Sequence, residues 1–191
     1  DPLRARMRRA LRFLIRHAAF ASLRAWRLFE RASRDLAYAS FTGAELDALS
    51  VATWEAFGEH ASITGQGLFS WETQMFADHL RPGDSILVVG TGTGRDVLPL
   101  LNAGHKVVAL DTTPVALATL EARAREEGYP VRMIHASIAS ANLPPAEFDV
   151  IVFSWFCFGY IRDAAARLSA LSRSLQALRA GGRIVVSYSS R

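Results

Sequence analysis

From Ser85 onward the chain alternates short apolar runs with segments of helical pattern, and this alternation constrains the fold more than any other feature. The apolar runs have strand length and lie at 85–89, 106–110, 131–135, 150–154 and 183–188, with helices predicted at 95–103, 114–127 and 163–180. Buried parallel strands are continuously apolar because helices cover both faces of their sheet. The sequence therefore predicts an α/β fold with a doubly wound, mostly parallel sheet.

Two segments precede this sheet domain, which is expected to cover residues 83–191. Residues 1–40 are predicted to form a basic amphipathic helical arm, with a helix over 3–38 that is broken or bent near Ser22. Residues 41–82 are predicted to form a helical cap or lid segment, with helices at 44–57 and 70–80. Ser70 is the expected N-cap of the second of these helices.

The positive charge of the chain is concentrated in the arm. Residues 1–40 contain ten arginines against three acidic residues, although the formal charge of the whole chain is only +4. Apolar residues and arginines each recur at three- and four-residue steps, which is typical of a surface helix and of a helix at an anionic membrane surface. Two interpretations stay open for a cytoplasmic protein: self-association through the arm, and peripheral contact with the inner membrane surface.

Composition excludes several classes of protein. No basic stripe with interleaved aromatic residues follows residue 40, so no nucleic-acid partner is expected. Cys157 is the single cysteine, which excludes an internal disulfide, and no Cys/His cluster has zinc-ligand spacing, so no metal site is expected. The longest apolar run, near 150–160, is too short to span a bilayer.

The most informative motif is a glycine-rich turn after the first strand, with the sequence Ile86-Leu-Val-Val-Gly90-Thr-Gly92-Thr-Gly94-Arg95-Asp96. Glycines let the backbone approach a ligand closely, and the following helix N-terminus presents free N–H groups. A tight strand-to-helix turn also requires small residues in any doubly wound protein. Arg95 stands where the dinucleotide fingerprint requires its third glycine, which disfavours a nicotinamide cofactor.

A second signal is Asp111, which ends the next strand about twenty residues after the glycine turn. A carboxylate at this edge of the sheet can accept hydrogen bonds from both hydroxyls of a ribose. The alternative is a helix N-cap for 114–127, a role that Thr112 or Thr113 can also fill. We favour the ribose-binding role.

Four segments in this order resemble the motifs of class I S-adenosylmethionine (SAM)-dependent methyltransferases, over residues 66–191. The glycine turn resembles their first motif, Asp111 their ribose-binding acid, 148–154 their fourth strand, and 178–187 the turn into their fifth. The resemblance implies a bacterial transferase with a Rossmann-like fold, with SAM as cofactor and S-adenosylhomocysteine (SAH) as product. We expect the strand order 3-2-1-4-5. The cofactor-binding residues that it implies are Gly90, Thr91, Gly92, Gly94, Arg95, Asp111, Thr112, Ser137, Ile138, Ser154 and Trp155.

The sequence departs from the family pattern at three places. Val88 stands where these enzymes often carry an acid that organises the glycine turn and the methionine end of the cofactor. Ser137 stands where an Asp commonly accepts the adenine amino group. The chain also ends after the fifth strand, so the final antiparallel hairpin of the family is expected to be missing.

The resemblance predicts a methyltransferase that acts on a small-molecule or lipid-like acceptor. Positioning and aromatic faces beside a sulfonium can carry much of such a reaction, and a base is needed only where the acceptor loses a proton. Tyr160, after the fourth strand, and His60, in a glycine-flanked segment, are the candidate catalytic residues. The alternative function is a non-catalytic SAM- or nucleoside-binding regulatory module, which the residues at 88 and 137 make plausible.

Overall fold

The structure, a computed structural model, describes residues 2–58, 67–161 and 163–188. The chain forms two compact units, residues 1–50 and residues 51–191. The first unit contains α1 (Pro2–Ser40) and the beginning of α2 (Gly43–Gly58). Every side chain between residues 17 and 40 is exposed. None of the helices that the structure describes combines the length and apolarity needed to cross a bilayer.

The helix α1 is continuous through Ser22, so a break there is wrong, while a bend at this residue stays a prediction. The Ser22 hydroxyl donates a hydrogen bond of 2.9 Å to the carbonyl oxygen of Ala19, one turn earlier. Because this bond satisfies the hydroxyl inside the helix, serine does not have to end it.

The second unit alternates strands with helices, as the sequence predicts. Its elements after α2 are α3 (Ser70–His79), β1 (Ser85–Val89), α4 (Val97–Asn102), β2 (Lys106–Asp111), α5 (Pro114–Glu126), β3 (Arg132–His135), β4 (Phe148–Phe153), a 3₁₀ segment (Ser154–Tyr160), α6 (Ala164–Ala177) and β5 (Leu178–Val186). We call Ser154–Tyr160 the post-β4 segment.

The five strands form one parallel sheet in the order β3-β2-β1-β4-β5, which confirms the predicted fold class and strand order. Val89, the last residue of β1, pairs with Leu110 of β2 on one side and with Phe153 of β4 on the other. The chain therefore leaves three neighbouring strands at one edge of the sheet, and the residues that follow lie side by side there.

Helices cover both faces of this sheet, because its strands are apolar on both sides. Ile86 and Val88 point to one face, where they pack with apolar residues of α3, α4 and α5. Leu87 and Val89 point to the other face, where they pack with α6 and with residues that follow β3. Because helices cover both faces, the loops at the edges of the sheet are left to form a site, and ligands of such sheets bind at the carboxyl edge.

Three local predictions are wrong. Phe69, not Ser70, is the N-cap of α3: its side chain cannot accept a hydrogen bond, and the Glu72 carboxylate instead accepts the Phe69 backbone N–H at 2.7 Å. The helix predicted at 95–103 begins only at Val97, because the glycine turn extends up to it. The helix predicted to end at residue 180 ends at Ala177, and β5 starts at Leu178 with a register irregularity opposite β4.

Candidate functional site

The glycine turn between β1 and α4 adopts left-handed backbone at all three glycines, with φ of 75° at Gly90, 50° at Gly92 and 93° at Gly94. Residues other than glycine rarely adopt this backbone conformation. The three positions nevertheless face different surroundings. A Cβ at Gly90 would lie 2.7 Å from the Cβ of Cys157, and one at Gly94 would clash with Leu120 of α5. Among the described residues, Gly92 has no atom within 4 Å of its Cβ position apart from its chain neighbours, so it is the glycine of this turn that faces open space.

Asp111 lies directly beside this opening, at the carboxyl end of β2. One of its carboxylate oxygens accepts the backbone N–H of Gly92 at 2.8 Å, and the other accepts that of Thr113 at 2.9 Å. The residue is 8% exposed. Because a carboxylate offers about four lone-pair sites, Asp111 can hold the turn and still accept hydrogen bonds from a ligand.

Two hydroxyls of the same turn lack a partner among the described residues. Thr91 and Thr93 are both buried, and neither Oγ1 makes a hydrogen bond there. A buried polar atom without a partner is uncommon in a folded protein and often indicates a ligand or a water. The turn therefore combines an open glycine, a carboxylate and free hydroxyls, which fits a nucleoside cofactor.

Arg95 follows the turn, and its guanidinium is held by protein groups. It donates to both oxygens of Glu72, at 2.6 and 2.5 Å, and pairs with Asp96 at 2.7 Å. It also donates to the carbonyl oxygen of Gly67 at 2.9 Å. The rings of Phe69 and Trp155 lie 5.0 and 4.9 Å from its Cζ atom, on which both can exert cation–π attraction. We call Arg95, Glu72 and Asp96 the ion cluster.

The ion cluster extends to β4 through Ser154, whose hydroxyl donates a hydrogen bond to Asp96. Asp96 is almost fully buried, and burial raises the pKa of its carboxyl above the usual value, although the positive charge of Arg95 opposes the shift. Ser154, a predicted cofactor-binding residue, is thus held beside the glycine turn. Arg95 contacts α3 through Glu72 and so joins that helix to the glycine turn, while its predicted part in cofactor binding stays a prediction.

The post-β4 segment has strained backbone at two consecutive residues, Trp155 with φ of 30° and Phe156 with φ of 64°. Left-handed backbone is costly for aromatic residues, and such strain concentrates at functional sites. The N–H of Phe156 is held by the Ser187 hydroxyl at 3.0 Å. The turn that results brings Cys157 onto Gly90, where its thiol donates to the Val89 carbonyl at 3.1 Å. Burial raises the pKa of this thiol, as do the nearby charges of Asp111 and Asp96, so Cys157 is not a nucleophile at neutral pH.

Aromatic side chains gather beside this segment. The Trp71 ring stacks on Phe156 with centroids 5.9 Å apart, and the Tyr160 ring meets Trp54 edge to face at 4.9 Å. Trp71 is 42% exposed and Tyr160 is 59% exposed, so both present ring surface to solvent. We call these four residues the aromatic surface.

The remaining predicted site residues lie after β2 and β3, in the core, or outside the residues that the structure describes. Thr112 and Ser137 are exposed at the same sheet edge, after β2 and β3 respectively. The Ile138 side chain is buried in the core against α6. His60 lies outside the described residues. Among the described residues, no group of three or more His, Cys, Asp or Glu side chains could hold a metal ion.

Similarity to known proteins agrees with this geometry. The ribosomal protein L11 methyltransferase of Thermus thermophilus is 33% identical over 110 residues, which cover 58% of this chain and 40% of that protein. An uncharacterized protein of Mycobacterium tuberculosis is 31% identical over 71 residues, or 26% of its length. The chain therefore spans less than half the length of these curated relatives.

Solved structures share the fold at lower identity. The TehB-like SAM-dependent methyltransferase of Corynebacterium glutamicum has a TM-score of 0.60 and 22% identity, covering 75% of this chain and 74% of that chain. The glycopeptide N-methyltransferase MtfA, complexed with SAM, has a TM-score of 0.56 and 24% identity, covering 63% and 50%. Residues 86–182, just over half of the chain, match the family model described as a methyltransferase domain. With this match and its sheet order, the chain belongs to the class I SAM-dependent methyltransferase superfamily.

Proposed function

We propose that this protein transfers the methyl group of SAM to a small-molecule or lipid-like acceptor. The observation that carries the proposal is the pairing of the open Gly92 with the Asp111 carboxylate at the carboxyl edge of β1 and β2. Ligands of open α/β sheets bind at this edge. Family membership supports SAM as the ligand that occupies it.

Each part of the site has a role in this proposal. Asp111 accepts the ribose hydroxyls while it holds the Gly92 N–H, and the exposed Thr112 and Ser137 flank the adenosine. The buried hydroxyls of Thr91 and Thr93 supply hydrogen bonds that the described protein groups leave unused. When bound, SAM supplies a methyl group activated by an adjacent sulfonium. The chain contributes orientation and an environment that tolerates positive charge.

The aromatic surface supports the acceptor class. The Trp71–Phe156 and Trp54–Tyr160 pairs offer ring faces and edges, which bind apolar or planar groups better than charged peptide segments. Tyr160 is exposed and lies in the same post-β4 segment as the strained backbone. It is the proposed group that contacts the acceptor, with His60 as a second candidate. The acceptors of similar proteins differ, since one is named a ribosomal protein L11 methyltransferase and another a glycopeptide N-methyltransferase. A protein acceptor is therefore the competing outcome of the test below.

The cytoplasm is the proposed location, because SAM chemistry needs access to the cofactor. The basic arm is proposed as the part that makes peripheral membrane contact or associates with a second copy. Its exposed aromatic and aliphatic side chains, such as Trp26 and Leu28, support both interpretations.

The proposal is tested by SAH formation. The full chain is incubated with SAM and a panel of planar aromatic, lipid-like and peptide acceptors, and SAH is quantified by mass spectrometry. Acceptor-dependent SAH release from an aromatic or lipid-like compound supports the proposal. Turnover confined to peptides corrects the acceptor class. SAM binding without turnover on any acceptor would support the alternative function, a non-catalytic SAM-binding module.

A further inference from the structure

Asp96 occupies a special place in the sheet topology. The order 3-2-1-4-5 reverses between β1 and β4, and ligands of doubly wound sheets bind in the crevice at such a reversal. Asp96 follows β1 through the glycine turn, and Ser154 follows β4 directly. The hydrogen bond from the Ser154 hydroxyl to Asp96 therefore joins the two sides of this crevice.

The ion cluster at this place holds more negative than positive charge. Arg95 is shared between Glu72 and Asp96, with side chains 6%, 2% and 3% exposed respectively. The charged groups that act on Asp96 are Arg95, which stabilises its carboxylate, and Glu72, which opposes it. One guanidinium cannot neutralise two carboxylates, so the cluster carries a net negative charge when both are ionised.

The chain lacks the acid that could serve a cationic ligand on β1 itself. Val88 is 0% exposed and packs in the core with Ile86 and Val97, so no charge is available at that position. If SAM binds with its ribose at Asp111, a methionine end that runs past Gly92 toward β4 would bring the sulfonium to the side of the Asp96–Ser154 pair.

We propose that Asp96 is a positioning residue whose buried negative charge makes the site prefer cationic SAM over its neutral thioether product, SAH. The inference rests on the proposed function, because it assumes that SAM occupies the crevice. Asp96 acts across space through its charge, while the Ser154 hydroxyl holds its carboxylate in place, and the preference for SAM would favour release of the product after each turnover. Methyl transfer removes the positive charge of the SAM sulfonium, and this is the charge that the Asp96 carboxylate would attract.

The test is a calorimetric titration of the full chain with SAM, SAH and sinefungin, which carries a protonated amine in place of the sulfonium. Asp96→Asn removes the charge but keeps an oxygen for the Ser154 hydroxyl. We expect this variant to lose about tenfold more affinity for SAM and for sinefungin than for SAH, as the loss of a nearby charge predicts. If Asp96→Asn does not fold, Asp96→Ser carries the same test with the same expectation.

Two control variants separate charge from structure. Asp149→Asn makes the same change of charge at the opposite, amino end of β4, where Asp149 accepts the Ser85 N–H at 2.9 Å. This variant should leave the SAM-to-SAH affinity ratio unchanged. Ser154→Ala removes the hydrogen bond but keeps the charge, so its ratio should stay near that of the wild type. Equal losses for all three ligands in Asp96→Asn would overturn the inference while leaving SAM binding established. A wild-type chain that binds none of them would overturn the proposed function as well.

Discussion

Gly92 of the glycine turn can be compared with Gly104, a glycine that lies outside this turn. Gly92 and Gly104 both have left-handed backbone, with φ of 50° and 86°, and in the described part of the chain only their chain neighbours lie within 4 Å of either Cβ position. Alanine at either position should cost about 1–2 kcal/mol of stability, because the backbone strain is similar. Only Gly92 lies beside Asp111. We therefore expect Gly92→Ala to weaken SAM binding at least tenfold and Gly104→Ala to leave it unchanged, measured by calorimetry beside chemical unfolding.

Equal SAM affinities in these two variants would contradict the assignment of Gly92 as the point where the cofactor approaches the backbone. Loss of binding in both, with matching loss of folded protein, would show that strain alone explains the result. The pair is matched because both glycines lie in turns of the same unit.

Gly90 should respond to substitution in stability rather than in binding alone. A Cβ there would lie 2.7 Å from the Cβ and 2.9 Å from the Sγ of Cys157, so the post-β4 segment would have to move. Overpacking of this kind typically costs about 1–3 kcal/mol, in addition to the strain at φ of 75°. Gly90→Ala should therefore unfold at lower denaturant than Gly104→Ala. An equal midpoint for the two variants would show that the contact with Cys157 is not tight.

Sequence could predict the glycine turn but not these separate roles. The pattern of glycines after an apolar strand is local, and it identifies the turn. The neighbours that constrain Gly90 and Gly94 are Cys157 and Leu120, which lie far along the chain and reach the turn only after the sheet has formed. Asp111 could be predicted because its place at the end of β2 follows from the strand pattern alone.

Among the elements, α3 is tied to the glycine turn by a buried ion pair. Glu72→Gln would leave Arg95 paired with Asp96 but would remove the charged acceptor that ties its guanidinium to α3, whereas Glu121→Gln removes a surface pair with Arg125 whose side chains are 59% and 74% exposed. Loss of a hydrogen bond to a charged group in a buried site typically costs about 1.5–3 kcal/mol, and loss of an exposed pair about 0–1 kcal/mol. Urea unfolding should therefore show a large loss for Glu72→Gln and little change for Glu121→Gln. Similar midpoints would mean that Arg95 finds other partners.

The element boundaries show what local patterns can and cannot decide. Apolar runs and glycines predicted the five strands, because buried parallel strands must be apolar, and the resemblance to the methyltransferases implied their order. The ion cluster was missed, since nothing in the spacing of Glu72 and Arg95 indicates that α3 packs on the turn. The left-handed backbone at Trp155 and Phe156 was missed as well, because it depends on the bond from Ser187.

In the whole molecule, the basic arm can be tested separately from the sheet unit. Ten arginines on a helix with exposed apolar residues should bind anionic lipid, each arginine near the surface contributing about 1 kcal/mol at low salt. Co-sedimentation of the full chain with anionic vesicles should fall as salt rises, because salt screens the attraction. Neutral vesicles serve as the control. Absence of sedimentation at every salt concentration, with a dimer in analytical ultracentrifugation, would favour self-association instead.

The central claim is that SAM binds at the carboxyl edge of the sheet with Asp111 on its ribose. Its most direct test is calorimetric titration of SAM into the wild type, Asp111→Asn and the control Asp149→Asn. Loss of a charged acceptor for ribose hydroxyls is worth about 1.5–3 kcal/mol, or roughly ten- to a hundredfold in affinity. The account predicts saturable binding to the wild type and to Asp149→Asn, and binding weakened by that factor in a folded Asp111→Asn. Equal affinity in all three proteins, or no binding to the wild type, would contradict it.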